Sequence, residues 1–142
     1  MSAWRLTFAV AAAAYVGGIV IQVLLAGAGL FEMTDFDMHV GLGWLLGSAP
    51  ILLIPLAILA RAGLGTVSLT IVLAVDAMIQ PELALARHDS PVIAALHPVN
   101  ALILFWLALL VARRAIVLTS EGARRSAPAA TAIPGPTATG FD

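Results

Sequence analysis

The sequence contains no cysteine and no lysine. Without a thiol there is no disulfide, no thiolate metal site, no iron–sulfur cluster, no covalently attached c-type haem and no cysteine nucleophile. Charge is scarce as well: 11% of residues are charged, about half the share of an ordinary soluble domain, and the seven basic and eight acidic side chains nearly cancel. A water-soluble monomer is thereby excluded, and so is a basic nucleic-acid binder. There is no glycine-rich phosphate loop, no Ser/His/Asp hydrolase signature, and no legible internal repeat.

What the chain has instead is apolar length. Hydrophobic residues make up 61% of its 142 positions, and the mean hydropathy is +1.04. Dividing the sequence at its charged residues leaves four apolar runs, at 6–31, 40–60, 62–80 (interrupted by Asp76) and 92–112. A helix crossing a bilayer needs roughly 20 such residues at about 1.5 Å rise each. The expectation is an all-α integral membrane protein, a four-helix up-down bundle with spans at about 6–31, 38–60, 62–80 and 91–113. The first run is too long for a secretion signal, whose apolar part covers roughly 7–15 residues.

Local chemistry supplies the boundaries. Thr34 and Asp37 form a T-x-x-D capping pattern before the second span, Ser90-Pro91 offers a cap and an N1 proline to the fourth, and Gln80-Pro81 is expected to close the third. Six of the seven arginines lie in the N-terminal segment, the middle loop or the tail, whereas the first loop carries Glu32, Asp35 and Asp37. The positive-inside rule then places both termini in the cytoplasm, and the expected location is a cell inner (cytoplasmic) membrane. Residues 1–119 are the transmembrane domain. The Ala/Thr/Pro/Gly-rich stretch 120–142 is expected to be a disordered cytoplasmic tail.

An ionisable or amide side chain in hydrocarbon costs a few kcal/mol, so each one within a span is a functional candidate. Here they are Gln22, His39, Asp76, Gln80, His97 and Asn100. Helix rise puts His39 about 6 Å, His97 about 9 Å, Asp76 about 7 Å and Gln22 about 13 Å from the outer boundary, all in one half of the bilayer. His39, Gly43 and Gly47 share one face of the second helix, and His97, Ala101 and Ala108 share one face of the fourth. Small residues beside polar ones also serve plain interhelical packing, with amides as hydrogen-bonding glue.

The second and fourth helices run in the same direction and sit diagonally in an up-down bundle, with axes roughly 11–14 Å apart. On that estimate His39 and His97 are too far apart for a direct imidazole pair and suit a flat group ligated on both faces. This is the requirement of a bis-histidine b-type haem, with Gly43, Gly47 and Ala101 leaving room and with Asp76, Asn100 and Gln22 as supports. Arg87 and His88 stand where propionates would reach the interface. Because Pro98 follows His97, the fourth helix is expected to start at Pro91 and kink. A discrete ion is the competing chemistry, with Met33, Met38 and His39 for copper or His39, His97 and Asp76 for zinc. Asp76 is also placed to serve a proton pathway with the histidines.

The runs IQVLLAGAGLF, HVGLGWLLG and ALHPVNALILFW, over Gln22 to Arg114, resemble a family of small bacterial four-helix integral membrane proteins of unknown function. The resemblance rests on H-x-x-x-G and H-P-x-N-A motifs and implies this topology and the choice of Gln22, His39, His97 and Asn100. His39 is followed by valine here, where the family pattern has arginine. The architecture is also similar to cytochrome b561-type and haem A synthase-type bundles, by analogy of layout. The functional expectation is a haem b electron-transfer protein working between a quinone or membrane redox partner and an outer acceptor. The alternative is a non-catalytic small subunit packed against a larger membrane complex or an oligomer of itself.

Overall fold

A computed structural model describes residues 2–126, and every regular element among them is helical. The helices are α1 (Ala3–Leu30), α2 (Asp37–Ser48), α3 (Pro50–Leu59), α4 (Leu64–Leu85), α5 (Pro91–Ala94) and α6 (Leu96–Ser126), with a short 3-10 turn at Ala86–His88. They form four spans long and apolar enough to cross a membrane: Ala3–Leu30, Asp37–Leu59, Leu64–His88 and Pro91–Ser120. The first span packs against the second and fourth, and the third packs against the second and fourth. The first and third are therefore diagonal across the bundle, as are the second and fourth.

Prolines explain the interruptions. Pro50 divides the second span into α2 and α3; lacking an N–H, it leaves the Leu46 carbonyl without its usual partner four residues on. The Tyr15 hydroxyl donates to that carbonyl at 3.1 Å, tying the first span to the break. The fourth span begins at Pro91 as expected, with Ser90 extended at its cap, and breaks at Ala95 between α5 and α6. Pro98 therefore lies in the first turn of α6, where a missing N–H costs little.

Three boundary expectations are corrected. Helix α4 runs through Pro81 to Leu85 instead of stopping at 80. The cost of an internal proline is one carbonyl, that of Ala77, and the bare backbone of Gly47 packs against it. The T-x-x-D cap does not form; the Asp35 carboxylate accepts from the Asp37 amide at 3.2 Å, and Phe36 is the capping residue. Helix α6 continues past 113 to Ser126, into the first part of the stretch expected to be disordered. The remainder of that tail, 127–142, lies outside the described residues.

The packed core sits at one end. Phe8, Ala12, Leu53, Ala57, Thr70, Leu73, Val111 and Ala115 are all but sealed, and they cluster toward the end holding the N-terminus and the 60–63 connection. This is the basic end, carrying Arg5, Arg61, Arg113 and Arg114. Toward the opposite end, beyond Gly47, Ala77 and Leu104, Gly29 is the one buried residue among those described. Large apolar side chains such as Leu52, Leu102 and Trp106 cover the outside of the bundle, as contact with lipid tails requires.

Close helix approach depends on particular glycines. A Cβ on Gly47 would stand 3.3 Å from the Ala77 carbonyl oxygen, a backbone atom that cannot swing aside. Gly47→Ala is expected to destabilise the bundle by about 1–2 kcal/mol, as overpacking does. Gly17, with nothing within 4 Å of the same position, is expected to tolerate alanine without loss. Thermal unfolding of the two variants in one detergent checks the contrast.

Candidate functional site

Gln22, near the end of the first span, and His39, at the start of the second, hold each other by two reciprocal bonds. The glutamine amide donates to the His39 backbone carbonyl at 2.7 Å, and the imidazole Nδ1 lies 3.1 Å from the Gln22 backbone carbonyl. In the other hairpin Gln80 donates to the His97 carbonyl at 2.9 Å, and His97 Nδ1 lies 2.9 Å from the Gln80 carbonyl. Each pair is 17 residues apart, and the two pairs are related by a shift of 58 positions. The bundle is thus two equivalent helical hairpins, each bearing the same clamp.

No such repeat was legible from composition or motif scanning, and the structure corrects that reading. The shift also relates I-Q at 21–22 to I-Q at 79–80, and L-A-x-A at 25–28 to L-A-x-A at 83–86. Such short apolar identities are common in membrane helices, so only the duplicated bonding reveals their meaning. Gln80, reckoned above simply as one polar residue in a span, is the partner of His97.

The clamps determine the chemistry of both rings. A backbone carbonyl only accepts, so each Nδ1 carries the proton and each Nε2 carries the lone pair. Asp76 and Asn100, expected to orient the imidazoles, do not take that role: the carbonyls of Gln22 and Gln80 do. Asn100 donates instead to the Gln80 side-chain oxygen at 2.8 Å. The corresponding position in the first hairpin is Leu42, and the Gln22 side-chain oxygen is buried without a donor. The Asp76 Oδ2 atom is also buried without a donor.

His39 and His97 meet across the bundle, with ring centres 6.4 Å apart and planes at 76°. The estimate that these side chains stand too far apart for a direct pair is therefore corrected; both rings reach inward from their diagonal helices. The Phe36 ring lies edge-on to His39 at 6.0 Å. An imidazole nitrogen binds a metal at about 2.0–2.1 Å, which places two trans rings with their centres roughly 6 Å apart. The separation of the ring centres is close to that value, while the Gln22 amide nitrogen lies 3.5 Å from His39 Nε2 and would have to release it for that nitrogen to ligate.

The glycines expected to make room for a macrocycle do something else. A Cβ on Gly43 would meet the Gln22 amide at 2.9 Å, and Gly47 meets α4, so both admit neighbouring helices. Ala101 is half-buried on the His97 helix. Around the histidines few of the described residues are buried. Among the described residues no three His, Asp or Glu side chains gather closely enough for a metal ion, so Asp76 does not join the histidines in the arrangement zinc was expected to use. Met33 and Met38 are exposed, as are Arg87 and His88 at the same end.

Residues 22–87 match the Family of unknown function (DUF6220). The match covers the first clamp and Gln80, and stops before His97 and Asn100. No curated protein matches the chain. No solved structure does.

Proposed function

We propose that His39 and His97 are the axial ligands of a b-type haem, and that the protein carries electrons within a bacterial cytoplasmic membrane. The orientation follows the arginines, with both termini cytoplasmic and the histidine end outward. The observation that carries the reading is the duplicated clamp. Two imidazoles from diagonal spans meet with ring centres 6.4 Å apart, each with Nδ1–H tied to a carbonyl; the Gln22 amide nitrogen lies 3.5 Å from the His39 Nε2 lone pair, a long contact that ligation would replace. A second hydrogen bond fixing tautomer and ring direction is the usual support of a metal-ligating histidine.

When bound, the haem supplies a one-electron couple. The chain's own residues provide ligation through His39 and His97 and orientation through Gln22 and Gln80. The apolar exterior keeps the surrounding dielectric low, and the exposed histidine end gives a redox partner access.

The test is spectroscopic. Protein purified in detergent from haem-replete cells is expected to be red, with a Soret band that sharpens and shifts on dithionite reduction. His39→Ala and His97→Ala are each expected to remove or alter that band, and His88→Ala to leave it unchanged. Colourless wild-type protein from such cells would overturn the proposal. It would favour the clamps as interhelical glue in a non-catalytic subunit. Elemental analysis of the same sample reports copper or zinc directly.

A further inference from the structure

The basic end of the bundle carries two grooves, each of about 510 Å³. One lies between the start of the third span and the end of the fourth, lined by Thr66, Leu110, Arg113, Arg114, Val117 and Leu118 among others. The other lies between the start of the first span and the end of the second, and includes Trp4, Arg5, Ile58, Leu59 and Arg61. The shift of 58 positions that relates the histidine clamps also relates the grooves. Ala62 corresponds to Trp4, Val117 to Leu59 and Leu118 to Ala60, and all six are lining residues. Each hairpin has the same opening at the same place.

The arginines do not follow that correspondence. Arg5 and Arg61 fall opposite Gly63 and Thr119, and Arg113 and Arg114 fall opposite Pro55 and Leu56. Two unrelated pairs of positions therefore bring two guanidinium groups to equivalent grooves. Arg61 does so from a left-handed backbone conformation, φ 55°, which a side chain occupies at a cost of roughly 1–2 kcal/mol. The neighbouring Gly63 would pay nothing for that conformation. One Arg114 Nη atom donates to the Gly65 carbonyl at 2.9 Å, which steadies its guanidinium beside the groove. No acidic residue precedes Glu32, and none falls between Asp89 and Glu121.

We infer that each groove is a binding site for one anionic phospholipid. The guanidinium pair meets the phosphate, for which the planar fork of arginine is suited. Leu110 and Val117 in one groove, and Ile58 and Leu59 in the other, lie along an acyl chain. Basic clefts between spans at the cytoplasmic side are the usual place for such headgroups. The inference is independent of any group held by the histidines.

Native mass spectrometry of the full chain in detergent, with phosphatidylglycerol or phosphatidylcholine of identical acyl chains, tests it. Two phosphatidylglycerol molecules are expected to stay bound per chain, and phosphatidylcholine is expected to be lost. The double variant Arg113→Ala/Arg114→Ala is expected to retain one, its groove weakened by roughly 30-fold. Arg5→Ala/Arg61→Ala is expected to do the same to the other groove, while Arg113→Lys/Arg114→Lys retains both lipids at reduced affinity. All these side chains lie at the surface or half-buried, and circular dichroism verifies that each variant is folded. Equal retention of both lipids, or an unchanged count in the alanine variants, would overturn the inference. Inorganic phosphate binding as tightly as the lipid would reassign the grooves to a free anion and would equally overturn it.

Discussion

Phe8→Ala is expected to destabilise the bundle by about 2–3 kcal/mol, more than the loss of either histidine. Phe8 has no exposed surface and lies in the cluster where all four spans converge at the basic end. In a soluble protein such a truncation forfeits both a transfer term and a cavity term. Lipid tails are as apolar as the core, so the transfer term largely vanishes in a membrane. The cavity term remains, and roughly 100 Å³ at about 24 cal/mol per Å³ gives the stated cost. His39→Ala removes the Nδ1 hydrogen bond and the long 3.5 Å contact of Nε2 with the Gln22 amide from a half-buried ring, at an end with few buried residues; interhelical bonds in membranes average about 0.6 kcal/mol. Reversible unfolding in mixed micelles is expected to rank Phe8→Ala well below His39→Ala in stability. The reverse ranking would mean that the histidine end, and not the apolar cluster, holds the bundle together.

The two glutamines are expected to differ despite their matching clamps. Gln80→Leu removes the donor to the His97 carbonyl and the acceptor of the Asn100 amide, so Asn100 is left without its 2.8 Å partner. Two interhelical bonds and a stranded amide are expected to cost about 1–3 kcal/mol. Gln22→Leu removes the 2.7 Å bond to the His39 carbonyl and the long 3.5 Å contact with His39 Nε2, but it also removes an oxygen that is buried without a donor. Its net cost is expected to stay below about 1 kcal/mol, because the desolvation of that oxygen is relieved. The same unfolding measurement compares them, and in haem-loaded protein both changes are expected to alter the Soret band through ligand orientation. Equal destabilisation would show that the Gln22 oxygen has a donor in the membrane, ordered water being the simplest.

The histidines, their depth and their diagonal placement were legible because each rests on counting: run length selects the spans, and residue number times helix rise gives the level. Their partners were not legible. Asp76 and Asn100 stood out as natural hydrogen-bonding groups for an imidazole, yet the rings took backbone carbonyls, which every residue possesses and no sequence pattern marks. Gly43 and Gly47 read equally well as room for a macrocycle or as contact points. What decides between these is the identity of the neighbouring helix, and the Gln22 amide and the Ala77 carbonyl occupy the space. Pro81 stood as a helix terminator because its local cost is plain, while the neighbouring backbone that offsets it comes from another span.

Composition and apolar run length by themselves determined that this chain forms four helices long and apolar enough to cross a membrane, with arginines gathered at one end. Those properties follow from the transfer of each residue between water and hydrocarbon, one residue at a time. Tertiary structure alone decided that the spans pair as two equivalent hairpins, that each histidine is locked by a glutamine 17 residues before it, and that the buried core gathers at the basic end and not around the histidines. These depend on which backbone carbonyls and side chains face one another across helices, and such contacts arise only when the spans dock.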